Sequence, residues 1–349
     1  MDAEQDTVTT FSIPKKETLM DLYAYPKVEL HLHLDCSLSY DVVHAIDPTV
    51  TKEIYQSEFV APDKCINLVD FLKRAPKGIA LMQTPEHLRL VVKDLFAQLQ
   101  RDHVIYAEIR FAPLLHTEQG LSPEDVVRIV EAATSEAITE TGIEARLLLC
   151  ALRHFSTEES MQTVRLVEQF QGTTVAGLDL AGDEAGYSLD AHIPAFQYAI
   201  EHGLARTAHA GEARGAASVW ETLEHLHPTR IGHGVRSSED PNLLDKLRAE
   251  KIHLEVCPMS NLQTNIYDIY ADHPVDYLYQ QGVSLNINTD CRMITPVTLK
   301  REYEQLHANF QWDTQHFLTC NLHALEAAFL PQEIKQKLKQ RLREAYPAS

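Results

Sequence analysis

The sequence has no long apolar run, no basic-then-apolar N-terminus, no C-x-x-C pair and no excess of basic residues. No stretch reaches the roughly 18–20 apolar residues that a membrane-crossing helix needs, so no span is expected. The opening residues, MDAEQDTVTTFS, are acidic and polar, the reverse of a secretory leader. Six cysteines, at 36, 65, 150, 257, 291 and 320, are scattered along a chain too long to need a disulfide framework. Reduced thiols and a cytoplasmic location are therefore expected. Thirty-one basic residues against 50 acidic ones leave a net charge of −19, a poor match to phosphate backbones or anionic membranes. Neither nucleic acid nor membrane is an expected partner. Repeats and low-complexity tracts are missing, as are Pro/Gly/Ser linkers after about residue 20. With 44% apolar and 23% charged residues, the chain is an ordinary globular one. A single domain over residues 1–349 is expected, with 1–20 as a loosely attached arm.

What is present is a rhythm. Eight β-rich runs stand at Val28–Leu34, Val104–Phe111, Ala145–Leu152, Val175–Leu180, Leu204–His209, Arg230–Gly232, Ile252–Cys257 and Val283–Asn288. Amphipathic segments lie between them, among them Pro123–Glu140, Thr157–Phe170, Ala191–Glu201, Ala217–Leu226 and Asp240–Glu250. Strands alternating with such helices imply βαβ units and a parallel sheet. Eight units of this length fit an α/β fold of the closed (β/α)8 TIM barrel type. An open doubly wound sheet would show a glycine-rich first turn, and LDCSLS after the first run has no glycine. The stretch from Asp35 to Asp102 is too long for one crossover and predicts extra helices after the first strand, including Leu68–Arg74 and Glu86–Gln100. From Pro331 onward a basic helix is expected, with a solvated outer face and no functional role.

Within the first run, KVELHLHLD, His31 and His33 are two apart and so point to one face of the strand, with Asp35 next in line. One such histidine would ordinarily be a satisfied interior residue; two at this spacing indicate a metal site. Other polar groups fall at strand ends: Asp179 to Glu184, His209 to Glu212, His233 between two glycines, and Asp290. In a barrel these ends share one face, where active sites sit. His31, His33, His209 and Asp290 supply three nitrogens and an oxygen, a set suited to one Zn²⁺, with another divalent ion such as Fe²⁺ also compatible. Such an ion lowers the pKa of its water to roughly 7. Glu212, three residues past His209, reaches the reacting atoms without being tied to the metal and suits a general acid. Its alternative role is to cap the following helix. His233 would orient the attacking hydroxide or accept its proton.

VELHLHLD, GLDLAGDE, HAGE, RIGHG, EVCPMSN and NTD occur between residues 28 and 290 in the order seen in the adenosine deaminase family, a branch of the amidohydrolase barrels, which this sequence resembles. The resemblance implies zinc on His31, His33, His209 and Asp290, a proton delivered to purine N1 by Glu212, and a hydroxide oriented by His233 and Asp290. It implies further that Gly182 meets purine N3 through its backbone N–H and that Asp35 meets a ribose hydroxyl. The implied reaction is hydrolytic deamination of adenosine or 2′-deoxyadenosine to inosine or 2′-deoxyinosine, with a small-molecule 6-aminopurine as the binding partner. Two positions depart from the family pattern. Cys291 stands where many relatives carry a second Asp that reads purine N7; a thiol is a weak donor, so that contact weakens or passes to another residue, with Arg292 adjacent. Cys36 stands where glycine is common, and both thiols could equally be inert packing groups. These changes bear on substrate more than on reaction. Adenine, 6-aminodeoxyfutalosine or an N6-modified adenine nucleoside are alternative substrates, and a catalytically silent purine-binding protein is the alternative of another class. A phosphorylated substrate is less expected, since no basic cluster stands near the strand ends beyond Arg214, Arg236 and Arg292. The other nucleobase deaminase pattern, H-x-E then P-C-x-x-C, is met only in its first half by His116-Thr117-Glu118. A binuclear barrel would carry a lysine at the end of the fourth strand, and none is there.

Overall fold

A computed structural model describes residues 24–347, so the arm expected at 1–20 lies outside the described residues. Eight parallel strands follow one another around the sheet in chain order: β1 (Lys27–His33), β2 (Val104–Phe111), β3 (Glu144–Leu152), β4 (Val175–Ala181), β5 (Ala205–Ala210), β6 (Arg230–His233), β7 (His253–Val256) and β8 (Leu285–Ile287). All eight expected runs are strands, their ends shifted by a few residues at most. Consecutive order excludes the doubly wound sheet, in which the order reverses.

The seam between β8 and β1 explains why β8 is only three residues long. Regular pairing gives way to a bridge in which Asp290 N donates to His31 O at 3.0 Å and His33 N donates to Asp290 O at 2.9 Å. Just before it, the Asn288 side-chain oxygen accepts from the Leu30 and His31 amides at 2.8 and 3.1 Å. A side-chain amide thus takes over the ladder, so these buried backbone donors are satisfied while β8 turns toward the site.

Strand alternation sorts the two faces of the barrel wall. Val28, Leu30 and Leu32 are buried in the apolar core beneath the helices. The barrel interior, in contrast, is charged: Glu108, Arg110, Asp179, Arg230 and Glu255 are all fully buried and paired with one another. Buried charges at such density hold only when every partner is in place. The helices after β1 are present as Tyr40–Ile46, Lys52–Glu58, Leu68–Leu72, Ala75–Leu81 and Pro85–Arg101. Local chemistry sets their starts: Thr84 caps Pro85–Arg101, and Ser122 with Asp125 forms a reciprocal cap on Pro123–Thr141. The basic helix is Gln332–Ala345; it buries Leu338 and Leu342 and leaves most of its charges outward. No helix among the described residues is long and apolar enough to cross a membrane, and all six cysteines are free thiols.

Candidate active site

The carboxyl ends of β1, β5, β6 and β8 bring His31, His33, His209, His233 and Asp290 together. His33 Nε2 lies 3.2 Å from His209 Nε2, and Asp290 Oδ1 lies 3.5 Å from Nε2 of both His31 and His33. The donor atoms of His31, His33 and His209 all fall within 4.8 Å of one another. Each of the two innermost rings is fixed from behind. His31 Nδ1 donates to Glu255 at 3.0 Å, and His209 Nδ1 faces Asp179 Oδ1 at 3.3 Å. Both contacts put the proton on Nδ1 and leave Nε2 with a free lone pair toward the cluster. His31 Nε2 is buried and has no hydrogen-bond partner among the described residues. An orphaned acceptor among converging imidazoles and a carboxylate is what a divalent cation requires, so the residues fit one.

Close approach here depends on glycine. A Cβ on Gly232 would stand 3.0 Å from His31 Cε1 and 3.2 Å from the His209 Cα, tighter than side chains tolerate without moving. Gly232→Ala is therefore expected to cost about 1–3 kcal/mol of stability through overpacking and to displace His31. Denaturant unfolding together with metal retention on dialysis measures both effects. His233 and Asp290 themselves hold left-handed backbone, with φ of 59° and 65°. Non-glycine residues rarely adopt it, and such strain concentrates where a side chain must be aimed.

Glu212 and His233 face each other, with His233 Nε2 3.7 Å from Glu212 Oε2. Burial, then the negative charges of Asp290 and Glu184, pushes the Glu212 carboxyl well above its ordinary range, which favours its acid form. Burial, then His31, keeps His233 neutral. Asn261 presents its amide nitrogen to His233 Nδ1 at 3.1 Å while its oxygen accepts from His273 Nε2 at 3.2 Å. The His233 proton therefore sits on Nε2, facing the cavity, where it donates rather than accepts. Of the two roles left open for His233, orientation of an oxygen nucleophile fits this tautomer. Glu212 does not cap the following helix, because Gly215 occupies that position. Its loop is clamped instead by Glu184, whose carboxylate accepts from the Gly211, Glu212 and Arg214 amides at 2.7–3.0 Å and from Ser218 Oγ at 2.6 Å.

A cavity of about 660 Å³ opens above this cluster, a volume suited to a small organic molecule. Asp35, Cys36, Gly182 and Cys291 line it together with His33, Glu212, His233 and Asp290. Its roof is apolar and comes from the inserted segment, through Leu68, Phe71, Leu72, Pro76 and Ile79. Asp35 Oδ2 accepts from the Ala112 amide at 3.1 Å, with His116 Nε2 3.9 Å away. Gly182 has a φ of 98°, a conformation that glycine alone adopts without strain. Cys291 Sγ lies 3.4 Å from Asp290 Oδ1, so its hydrogen is directed at that carboxylate. Arg292, adjacent to Cys291 in sequence, is not among the residues that line this cavity. Its guanidinium turns to Glu29 at 2.7 Å and Asp102 at 3.0 Å, and it braces the barrel wall. Glu184 ends the GLDLAGDE run, and Glu255 and Asn261 bound EVCPMSN, but the sequence assigned none of the three a role. Glu255 carried one signal, a charge in the middle of a short buried strand.

A sequence profile described as adenosine deaminase matches residues 26–345. An adenosine deaminase of Clostridium acetobutylicum is 33% identical over 334 residues, which cover 94% of this chain and 99% of that protein. Among solved structures, the adenine deaminase of Arthrobacter aurescens matches with a TM-score of 0.85 at 26% identity, covering 92% of this chain and 99% of that one. The N6-mAMP deaminase of Arabidopsis shares the fold, with a TM-score of 0.83 at 24% identity over 93% of this chain and 99% of its own.

Proposed function

The chain belongs to the adenosine deaminase family, and from that premise we propose that it is a zinc-dependent aminohydrolase converting adenosine and 2′-deoxyadenosine to the 6-oxo nucleosides. The observation that carries this reading is a buried Glu212, its carboxyl pushed above its ordinary range, beside the converging donors of His31, His33 and His209 with Asp290 3.5 Å from two of them. Three imidazoles and a carboxylate suit Zn²⁺ with a coordination position left for water. Bound there, the cation supplies the Lewis acidity that makes water nucleophilic near neutral pH.

The chain's own groups do the rest. Glu212 gives its proton to a ring nitrogen of the purine, which draws electrons from the neighbouring carbon and opens it to attack. His233, donating from Nε2, holds the incoming oxygen on line, and Asp290 accepts a hydrogen bond from it. Collapse then breaks the C–N bond while the new C–O bond becomes the carbonyl: one proton of the attacking water goes to the amino group, which leaves as ammonia, and the other restores the acid form of Glu212. Asp35, lining the cavity, meets a sugar hydroxyl, and the Gly182 backbone faces the base. The apolar roof of Leu68, Phe71 and Ile79 excludes water from the reacting atoms, which strengthens every polar contact below it.

Turnover on a panel of adenosine, 2′-deoxyadenosine, adenine, N6-methyladenosine and AMP tests the substrate assignment. The two unmodified nucleosides are expected to exceed the others in kcat/KM by about tenfold or more, since the base-only and phosphorylated compounds forgo or crowd the Asp35 contact. Adenine or AMP emerging as the best substrate would overturn the assignment. Binding of adenosine with no ammonia released would establish the silent purine-binding alternative.

A further inference from the structure

Beneath the cluster, on the side away from the cavity, buried groups connect His31 to the segment that follows helix Thr314–Ala327. Glu255 is the hub. Its Oε2 accepts from His31 Nδ1 at 3.0 Å and from Arg110 at 2.7 Å. Its Oε1 accepts from Arg230 Nε at 2.7 Å and from Thr207 Oγ1 at 3.1 Å. Four donors fill the carboxylate's ordinary acceptor sites, so it has no freedom to rotate without losing one. Arg230, fully buried, is gripped in turn. It donates to Glu108 and to the Ala327 carbonyl, the latter at 3.2 Å, and its guanidinium lies 3.7 Å from the centre of the Phe329 ring. The Phe329 amide donates to Glu108 Oε1 at 2.6 Å, closing the circle.

We propose that Arg230 and Phe329 are positioning residues for the metal centre, with the floor of the barrel setting, through Glu255, the tautomer and angle at which His31 meets the cation. The inference rests on His31 being a ligand, as read above. A ligating imidazole needs its other nitrogen anchored to a fixed acceptor, and the anchor is only as rigid as what holds it. Here the anchor's second oxygen is held by a planar, forked guanidinium stacked on an aromatic face. A lysine ammonium offers neither the fork nor the stack. The stretch 327–329, just ahead of the basic helix, thereby acts on the site from the opposite end of the barrel.

The experiment uses the full chain loaded with Co²⁺, comparing wild type with Arg230→Lys, Phe329→Leu and Phe329→Tyr. Co²⁺ affinity is measured by chelator competition, coordination geometry by the visible ligand-field spectrum, and stability of the metal-free protein by urea unfolding. Arg230→Lys is expected to weaken Co²⁺ binding by about 10–100-fold. Phe329→Leu, which keeps apolar bulk and loses the ring face, is expected to weaken it by about threefold to tenfold, with an altered spectrum. Phe329→Tyr restores both. Should Arg230→Lys fail to fold, the two Phe329 variants decide the question. Co²⁺ affinity within twofold of wild type and an unchanged spectrum in Phe329→Leu overturn the proposal, and so does lost urea stability without a spectral change. Wild-type protein that binds no Co²⁺ sinks the metal-centre reading itself, an outcome distinct from a loaded wild type matched by its variants.

Discussion

Glu212→Gln lowers deamination turnover by about 10²–10⁴-fold while bound metal stays at the wild-type level, the loss typical of a missing general acid. Gln keeps the volume of the side chain and removes the transferable proton. Glu212 lies outside the metal cluster, so metal content serves as the internal control. The same variant carries a pH test. Because burial raises the carboxyl well above its ordinary range, the active acid form persists to higher pH than in an ordinary carboxyl and is lost as pH rises through the raised value. The kcat/KM profile of the wild type therefore falls on its alkaline side, and in Glu212→Gln that limb disappears. A variant with unchanged turnover removes Glu212 from the mechanism.

Asp290→Asn is the second large effect, and it separates charge from shape. Asparagine tolerates the left-handed backbone of this position, φ 65°, so the β8–β1 bridge is expected to survive. What is lost is the negative charge. Burial works against that charge, but hydrogen bonding and attraction from His31 outweigh it and hold the carboxyl well below its usual range. Ser260 Oγ, which donates to Asp290 Oδ2 at 2.7 Å, marks how closely the group is seated. Metal retention and turnover are both expected to fall by about 100-fold or more, beyond what loss of an outer-shell partner causes. Urea unfolding of the metal-free variant close to the wild type shows that the fold is intact. Full turnover with retained metal would remove Asp290 from the ligand set.

The strands were legible as β-rich runs spaced by amphipathic segments. His31 and His33, His209, His233 and Asp290 are polar groups placed where a barrel wall turns into a loop, and alternation says which way His31 and His33 point. The inserted helices were legible from length, yet their role as a roof was not, since Leu68, Phe71 and Ile79 read as ordinary amphipathic packing until the chain folds back over the barrel mouth. Charges inside the barrel were the harder part. Glu255 meets Arg110 across 145 positions and Arg230 across 25, and no local pattern pairs them. Arg292 shows the opposite failure. Its place beside Cys291 suggested the cavity, but the turn after Asp290 sends its side chain to Asp102, 190 residues earlier.

Anomalous scattering from crystals of purified, active protein, collected at the absorption edges of the first-row metals, addresses the centre directly. The expected result is one peak per chain, about 2.0–2.2 Å from Nε2 of His31, His33 and His209 and from a carboxylate oxygen of Asp290, with Glu212 not coordinated. Active protein with no peak there, or with Glu212 among the ligands, contradicts the account.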